Sequence, residues 1–304
     1  MRKFIISDIH GFGNVYYAMM KYLDNLNKEE DIELYINGDL IDRGYESAEI
    51  LLDVIKRIKE NKFKITYLGG NHELMMHEVF EKRRKGMNVS PFEDWFNNGG
   101  YITDDGLAEI LNYDNNKILE VADFVSNLKI YHLFEETINK KKILLIHAGA
   151  PIYAYKKCRL RVKDNNESVF WYVWARENYP NVLFRCRIGN DDNFTIVGHT
   201  PNNSPLGYNY HENGNYLNID GGCAFYVSGH FNYNHFPLVE VCDGYLKILT
   251  FNSNNEIICV NYFDGNKSFS YTKEKIEEAR KYLGKNVKIK KLSLNCDGIC
   301  GYWN

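Results

Sequence analysis

The sequence predicts an α/β protein with a parallel sheet at its centre. Short apolar runs of strand length recur along the chain, amphipathic helices separate the first three, and polar residues cluster directly after several of the runs. A strand–helix–strand–helix–strand opening of this kind favours parallel pairing through right-handed crossovers.

The runs at 3–7 (KFIIS), 33–37 (ELYIN), 64–68 (KITYL), 142–146 (KILLI), 194–197 (FTIV) and 215–219 (NYLNI) combine strand length with Ile, Val, Tyr and Leu, which suits strands covered on both faces. Residues 14–27 set Val15, Ala18, Met19, Tyr22, Leu23 and Leu26 on one helical face, and residues 46–60 do the same with Ile50, Leu51, Val54, Ile55 and Ile58. Residues 86–135 break the rhythm. Rich in Asn, Asp, Glu and aromatics, they are expected to form a mostly helical cap insertion with Trp95, Phe96 and Tyr101 in its core. Residues 201–215 and 228–237 read as loops and 236–263 as strand again. Residues 272–283 read as a helix capped by Thr272 and ended by Gly284, and 287–294 as a basic strand before a short tail. The expected organisation is one domain over 1–271 with the cap at 86–135 embedded in it, and a C-terminal helix, strand and tail (272–304) packed on the same domain.

The 304 residues are 44% hydrophobic and 25% charged, an ordinary globular balance. With 37 Lys and Arg against 40 Asp and Glu, the net charge of −3 supplies no bulk field for nucleic acid or an anionic membrane. No apolar stretch approaches the roughly 20 residues that cross a bilayer, and the N-terminus reads as a strand rather than a signal peptide. Seven irregularly spaced Cys suggest reduced thiols of a cytoplasmic protein, and Cys296 and Cys300 receive no role.

The residues that carry chemistry stand just past the strands. Asp8 and His10 come after the first, Asp39, Asp42 and Arg43 after the second, Asn71 and His72 after the third, His147 after the fourth and His199 after the fifth; the sixth leads to Asp220 and two glycines. Carboxyl ends of parallel strands line one crevice, where ligands bind. Singly, Asp39 or Asn71 would read as a turn or helix cap and the histidines as core residues. Five consecutive strand ends with ligand-type residues, four beside glycine, point instead to a metal site. Carboxylate, imidazole and amide donors without thiolate suit Mn²⁺, Fe or Zn²⁺. Six ligands suit two ions that share a carboxylate, spaced about 3.5–4 Å apart and clamping both oxygens of an in-line displacement at phosphorus. The Lys and Arg run at 82–85 reads as a solvated face, and His77, His132, His211, His230 and His235 as histidines outside the chemistry.

These residues are similar to the signature of the calcineurin-like metallophosphoesterases: Asp-x-His-Gly (8–11), Gly-Asp-x-x-Asp-Arg-Gly (38–44), Gly-Asn-His-Glu (70–73), His-Ala-Gly (147–149) and Gly-His-Thr (198–200). The Asp-Arg-Gly form resembles the phosphoprotein phosphatase branch, which includes bacterial and phage serine/threonine phosphatases and symmetrical diadenosine tetraphosphatases. Trp174-Ala175-Arg176 and Ile219-Asp220-Gly221-Gly222 extend the likeness, which covers about residues 1–225. It implies an α/β fold in which a two-sheet β-sandwich is flanked by helices, and two divalent metal ions, with manganese ahead of iron or zinc. Asp8, His10 and Asp39 would hold one ion, and Asn71, His147 and His199 the other, with Asp39 bridging. An activated water would attack phosphorus in line, with His72 as general acid and Asp42 orienting it. Arg43 and Arg176 would bind the phosphate, although Arg176 also reads as a surface residue of a helix at 168–178.

The leading functional expectation is a phosphomonoesterase acting on phosphoserine or phosphothreonine in proteins, with small phosphate esters as weaker substrates. The alternative is a symmetrical bis(5'-nucleosyl)-tetraphosphatase. The aromatics of 201–237 favour it and the lack of any Lys or Arg there counts against it. A non-catalytic scaffold would have lost a ligand or the proton donor, and none is missing.

Overall fold

The computed structural model describes residues 1–149, 169, 172–176, 188–189, 192–212, 215–226, 235–265 and 268–269. The helix expected at 272–283, the strand at 287–294, the tail with Cys296 and Cys300, His230, and parts of 168–178 and 228–237 lie outside these residues.

The chain opens as expected: β1 (Arg2–Ile6), α1 (Gly13–Leu26), β2 (Ile32–Asn37), α2 (Ser47–Glu60) and β3 (Lys64–Leu68), with both strand pairs parallel. Helix α3 (Asn71–Arg84) leads into α4 (Asp94–Asn97), α5 (Gly100–Ile110) and α6 (Asn115–Ser126). The remaining strands are β4 (Tyr131–Ile138), β5 (Lys141–Ile146), β6 (Asn193–Val197), β7 (Asn209–His211), β8 (Tyr216–Asn218), β9 (His235–Cys242), β10 (Tyr245–Asn252), β11 (Ile257–Phe263) and β12 (Ser268–Phe269). Seven strands form one sheet in the order β12-β11-β10-β9-β1-β2-β3, and five form the other in the order β4-β5-β6-β8-β7.

Side-chain alternation along the strands explains the sandwich. In β1, Ile5 joins a cluster between the sheets while Phe4 and Ile6 join a cluster beneath the helices. In β5, Ile143 and Leu145 face the first cluster, and Leu144 and Ile146 the second. Strands covered on both faces cannot show a polar stripe, which is why they read as continuous apolar runs.

Several expectations are corrected. The sheet is not parallel throughout: β9 pairs antiparallel with β1, and β9 to β12 pair antiparallel with one another; β9, β10 and β11 follow one another through short turns, as hairpins allow. The helical part of the cap ends at Ser126, and residues 131–135 belong to β4, whose partner is β5. The loop at 201–215 contains β7. Tyr101 is 55% exposed and is no cap-core residue, whereas Trp95 is buried. Three of the four residues of the basic run are paired, Lys82 with Glu93, Arg83 with Asp104, and Arg84 with Glu81 and Asp123, while Lys85 is exposed. Among the described residues, no helix is long and apolar enough to cross a membrane.

Candidate metal centre

The ends of β1 and β2 run into turns that zip together: the Asp8 amide donates to the Gly38 carbonyl at 3.2 Å, His10 to Asp39 at 2.9 Å and Gly11 to Leu40 at 2.9 Å. Asp8, His10, Asp39, Asp42, Arg43 and His199 all adopt positive φ, between 48° and 73°. Left-handed backbone at non-glycine residues costs energy and collects at functional sites. Two glycines permit the approach of the next strand ends. A β-carbon on Gly38 would lie 2.7 Å from both the Gly70 backbone and His147 Nδ1, and one on Gly70 would lie 2.3 Å from Asp39 Oδ1.

These turns gather donors into two buried groups that share one residue. His10, Asp39 and His72 bring one ligand atom each within 4.8 Å of one another, and Asp39, His147 and His199 do the same. Asp39 divides its carboxylate between them: Oδ2 lies 3.5 Å from His10 Nε2 and Oδ1 lies 3.3 Å from His147 Nε2. Asn71 Oδ1 stands 3.1 Å from His147 Nε2. Asp8 accepts from the His199 amide at 2.9 Å and from the Ser7 hydroxyl. The carbonyl of Ile41 faces His10 Nδ1 at 3.1 Å, and that of Asn37 faces His147 Nδ1 at 2.8 Å. A carbonyl accepts only from N–H, so each ring spends Nδ1–H on the backbone and turns Nε2 toward the centre.

His72 has a different neighbourhood. Its Nδ1 lies 2.6 Å from Asp42 Oδ2, and Arg43 Nη2 lies 3.1 Å from its Nε2. Nε2 is 3.9 Å from Asp39 Oδ2, which is how a residue expected to be a proton donor also falls within a ligand group. Arg176 lies just past a helical turn at 172–174 and not within a helix. Its Nε donates to His199 Nε2 at 3.1 Å and its Nη2 to the His199 carbonyl at 3.3 Å. Two guanidiniums therefore flank the histidines, one from each sheet's loops.

Burial sets the electrostatics. Desolvation, reinforced by Asp220, raises the Asp8 carboxyl well above its ordinary range, and burial pushes Asp220 up to about 6. Burial would raise Asp39 too, but His147 and His72 hold it well below the usual carboxylate range. Burial alone would lower His147, yet Asp39 beside it raises that imidazole to about 10. Burial, with Arg43 and Arg176 respectively, pushes His10 and His199 down and keeps them neutral. Buried carboxylates that repel one another beside the neutral imidazoles of His10 and His199, with His147 giving up its proton to a bound cation, form a donor set that divalent cations fit.

Several residues here had no role in the sequence reading. Glu73 accepts from the amides of Asp39 (2.9 Å), Leu40 (3.0 Å) and Gly70 (2.7 Å) and from the Tyr67 hydroxyl (2.7 Å), so it fixes the turn that carries Asp39. It stands within Gly-Asn-His-Glu, and its place in that motif was the signal for it. Asp220, also noted only by its motif, is buried and accepts from the Gly222 amide at 2.8 Å. Trp95 and Thr103 bond to Asp42 from α4 and α5, and no local signal marked them.

A family model described as calcineurin-like phosphoesterase matches residues 1–234. The chain belongs to that family. Membership brings the class of reaction with it, metal-dependent hydrolysis of phosphoric esters, and family members use two metal ions. Among relatives of the phosphoesterase, serine/threonine-protein phosphatase 2 of Escherichia coli is 31% identical over 151 residues, covering 48% of this chain and 58% of that protein. The match thus spans little more than half the length of that relative. Bis(5'-nucleosyl)-tetraphosphatase PrpE [asymmetrical] of Anoxybacillus flavithermus is 26% identical over 236 residues, 73% of this chain and 85% of that protein. A serine/threonine phosphatase from Saccharomyces cerevisiae with similarity to human phosphatase PP5 shares the fold, with a TM-score of 0.54 at 17% identity, covering 83% of this chain and 80% of that one.

Proposed function

We propose that this phosphoesterase is a dinuclear-metal phosphomonoesterase of the serine/threonine protein phosphatase kind, with residues 1–271 and their embedded cap acting as one catalytic unit. The observation that carries the reading is the division of Asp39 between two donor groups, one oxygen toward His10 and the other toward His147. Asp8, His10 and Asp39 would hold one ion. Asp39, Asn71, His147 and His199 would hold the other, with manganese preferred over iron or zinc for this oxygen and imidazole set. Bound ions would lower the pKa of a water between them and draw charge from the phosphoryl oxygens.

The chain's own groups do the rest. Arg43 and Arg176, now bonded to His72 and His199, turn to the phosphoryl oxygens, which accept stronger, charge-assisted bonds than a neutral imidazole does. With Arg43 so engaged, His72 Nε2 is free to carry the proton passed to the leaving alkoxide. Asp42 holds Nδ1–H throughout and balances the charge of the doubly protonated ring.

A second reading, a dinucleoside polyphosphate hydrolase, is supported by the longer match to the tetraphosphatase relative. A turnover panel with Mn²⁺ and phosphopeptides, diadenosine tetraphosphate and an aryl phosphate separates the two. Phosphopeptides are expected to turn over fastest, and a lead of orders of magnitude for the dinucleotide would move the assignment to the second reading. In the same panel His72→Asn is expected to lose about 10²- to 10⁴-fold in kcat while keeping two metals per chain by atomic absorption. A fall to one metal would make His72 a ligand instead of the acid.

A further inference from the structure

The Asp42 carboxylate is buried and fully surrounded by donors, and two of them come from the cap. Oδ2 accepts from Trp95 Nε1 at 2.9 Å on the same oxygen that meets His72 Nδ1 at 2.6 Å. Oδ1 accepts from the Thr103 hydroxyl at 2.5 Å, and the Thr103 oxygen accepts in return from the Asp42 amide at 3.1 Å. All four residues are buried to 1% exposure or less. The turn between α4 and α5 is fitted to the same strand end. The Arg43 amide donates to the Gly99 carbonyl at 3.4 Å, and Gly99, at φ +92°, has no room for a β-carbon without pressing on Arg43. A β-carbon on Gly100 would lie 2.4 Å from the Trp95 indole, so the glycine pair lets the indole reach inward.

We infer that Trp95 and Thr103 are positioning residues of the proton-transfer machinery, and that the cap insertion is thereby part of the phosphoesterase's catalytic apparatus rather than only a cover. The inference rests on reading His72 as the acid and Asp42 as its partner. A carboxylate with two free oxygens can swing about its Cβ–Cγ bond. One whose two oxygens are tied separately, Oδ2 by an indole and Oδ1 by a hydroxyl, presents a fixed edge to Nδ1 and so fixes where Nε2 points. Positioning of this kind matters because proton transfer needs hydrogen-bond geometry at the reacting oxygen. Trp95 serves this role better than Phe because its indole N–H donates without accepting, so it cannot compete with Asp42 for the His72 proton. Thr103 both donates to and accepts from the same residue, which ties side chain and backbone of Asp42 into one unit.

Leaving-group dependence tests this. An aryl phosphate with an acidic phenol departs without a proton, whereas the alkoxide of a phosphoserine peptide requires one. Trp95→Phe, which removes the indole N–H and leaves a smaller ring, and Thr103→Val, which keeps the volume and removes the hydroxyl, are expected to lower kcat on the phosphopeptide at least tenfold. They should change the aryl phosphate rate less than threefold and leave KM for both within about twofold, while Thr103→Ser, which restores the hydroxyl, returns the phosphopeptide rate. In an Asp42→Asn background, Trp95→Phe should add nothing further, since groups that act through one another are not additive. Equal losses on both substrates, or full additivity with Asp42→Asn, would overturn the positioning role. If Asp42→Asn itself loses both substrates equally, the acid–partner reading falls and the inference with it. If Asp42→Asn discriminates between substrates and the cap variants do not, only the inference falls. Should Trp95→Phe fail to fold by circular dichroism, Thr103→Val against Thr103→Ser decides the matter alone.

Discussion

The two halves of the centre are supported in different ways. The half carried by the first sheet (Asp8, His10, Asp39, Asp42, Asn71 and His72) leans on helix-borne side chains. Glu73 gathers four donors around the Asp39 turn, and Trp95 and Thr103 tie down Asp42. The half carried by the second sheet leans on the first. His147 faces the Asn37 carbonyl at the end of β2, the Asn71 amide and Asp39; the His199 amide donates to Asp8. The β5 and β6 ends meet each other through the Gly198 amide and the His147 carbonyl at 2.7 Å. The first half is thus built as a frame, and the second is brought to register by docking of one sheet on the other.

The docking contact is where the difference breaks most easily. A β-carbon on Gly198 would lie 1.9 Å from Asp8 Oδ2 and 2.3 Å from Ser7 Oγ, both on the opposite sheet. Gly198→Ala is therefore expected to weaken metal binding about 100-fold by isothermal titration, on the scale of losing the support around a ligand. Wild-type affinity in that variant would mean that the halves do not depend on this meeting point.

Glu73→Gln probes the frame. It replaces a carboxylate bonded to three amides and a hydroxyl with an amide whose N–H₂ must face donors. The expected loss is about 2–3 kcal/mol in urea unfolding, set by charge-assisted bonds left unmade. A loss below roughly 0.5 kcal/mol would remove the argument that the first half supports itself.

A smaller effect isolates sheet docking away from the metal groups. His132 on β4 packs against Tyr35 of β2 at 4.5 Å between ring centroids, and burial lowers its pKa from 6.5 to about 4. Between those values the unfolded chain binds a proton that the folded chain does not, so stability falls as pH drops from about 6.5 toward 4. Urea melts at pH 7 and pH 5 should show about 1 kcal/mol less of this decline in His132→Gln than in the wild type, after allowing for solvent screening of a partly exposed ring. An unchanged slope would place the pH sensitivity elsewhere.

The donor types and the strand ends that carry them were legible in the sequence, because a donor's chemistry and the glycine beside it are properties of a few consecutive residues. The same holds for the parallel opening of the first sheet, which comes from the alternation of apolar runs and 3.6-residue faces in 3–68. Tertiary structure decided what each donor faces. It turned the two oxygens of Asp39 toward different histidines, and it moved Arg176 off an expected helix and onto His199. It also brought Trp95 and Thr103 to Asp42 across 53 and 61 residues. No window of sequence contains both ends of such a bond. Its existence depends on how a cap helix seats on a strand end, a matter of packing across the whole domain.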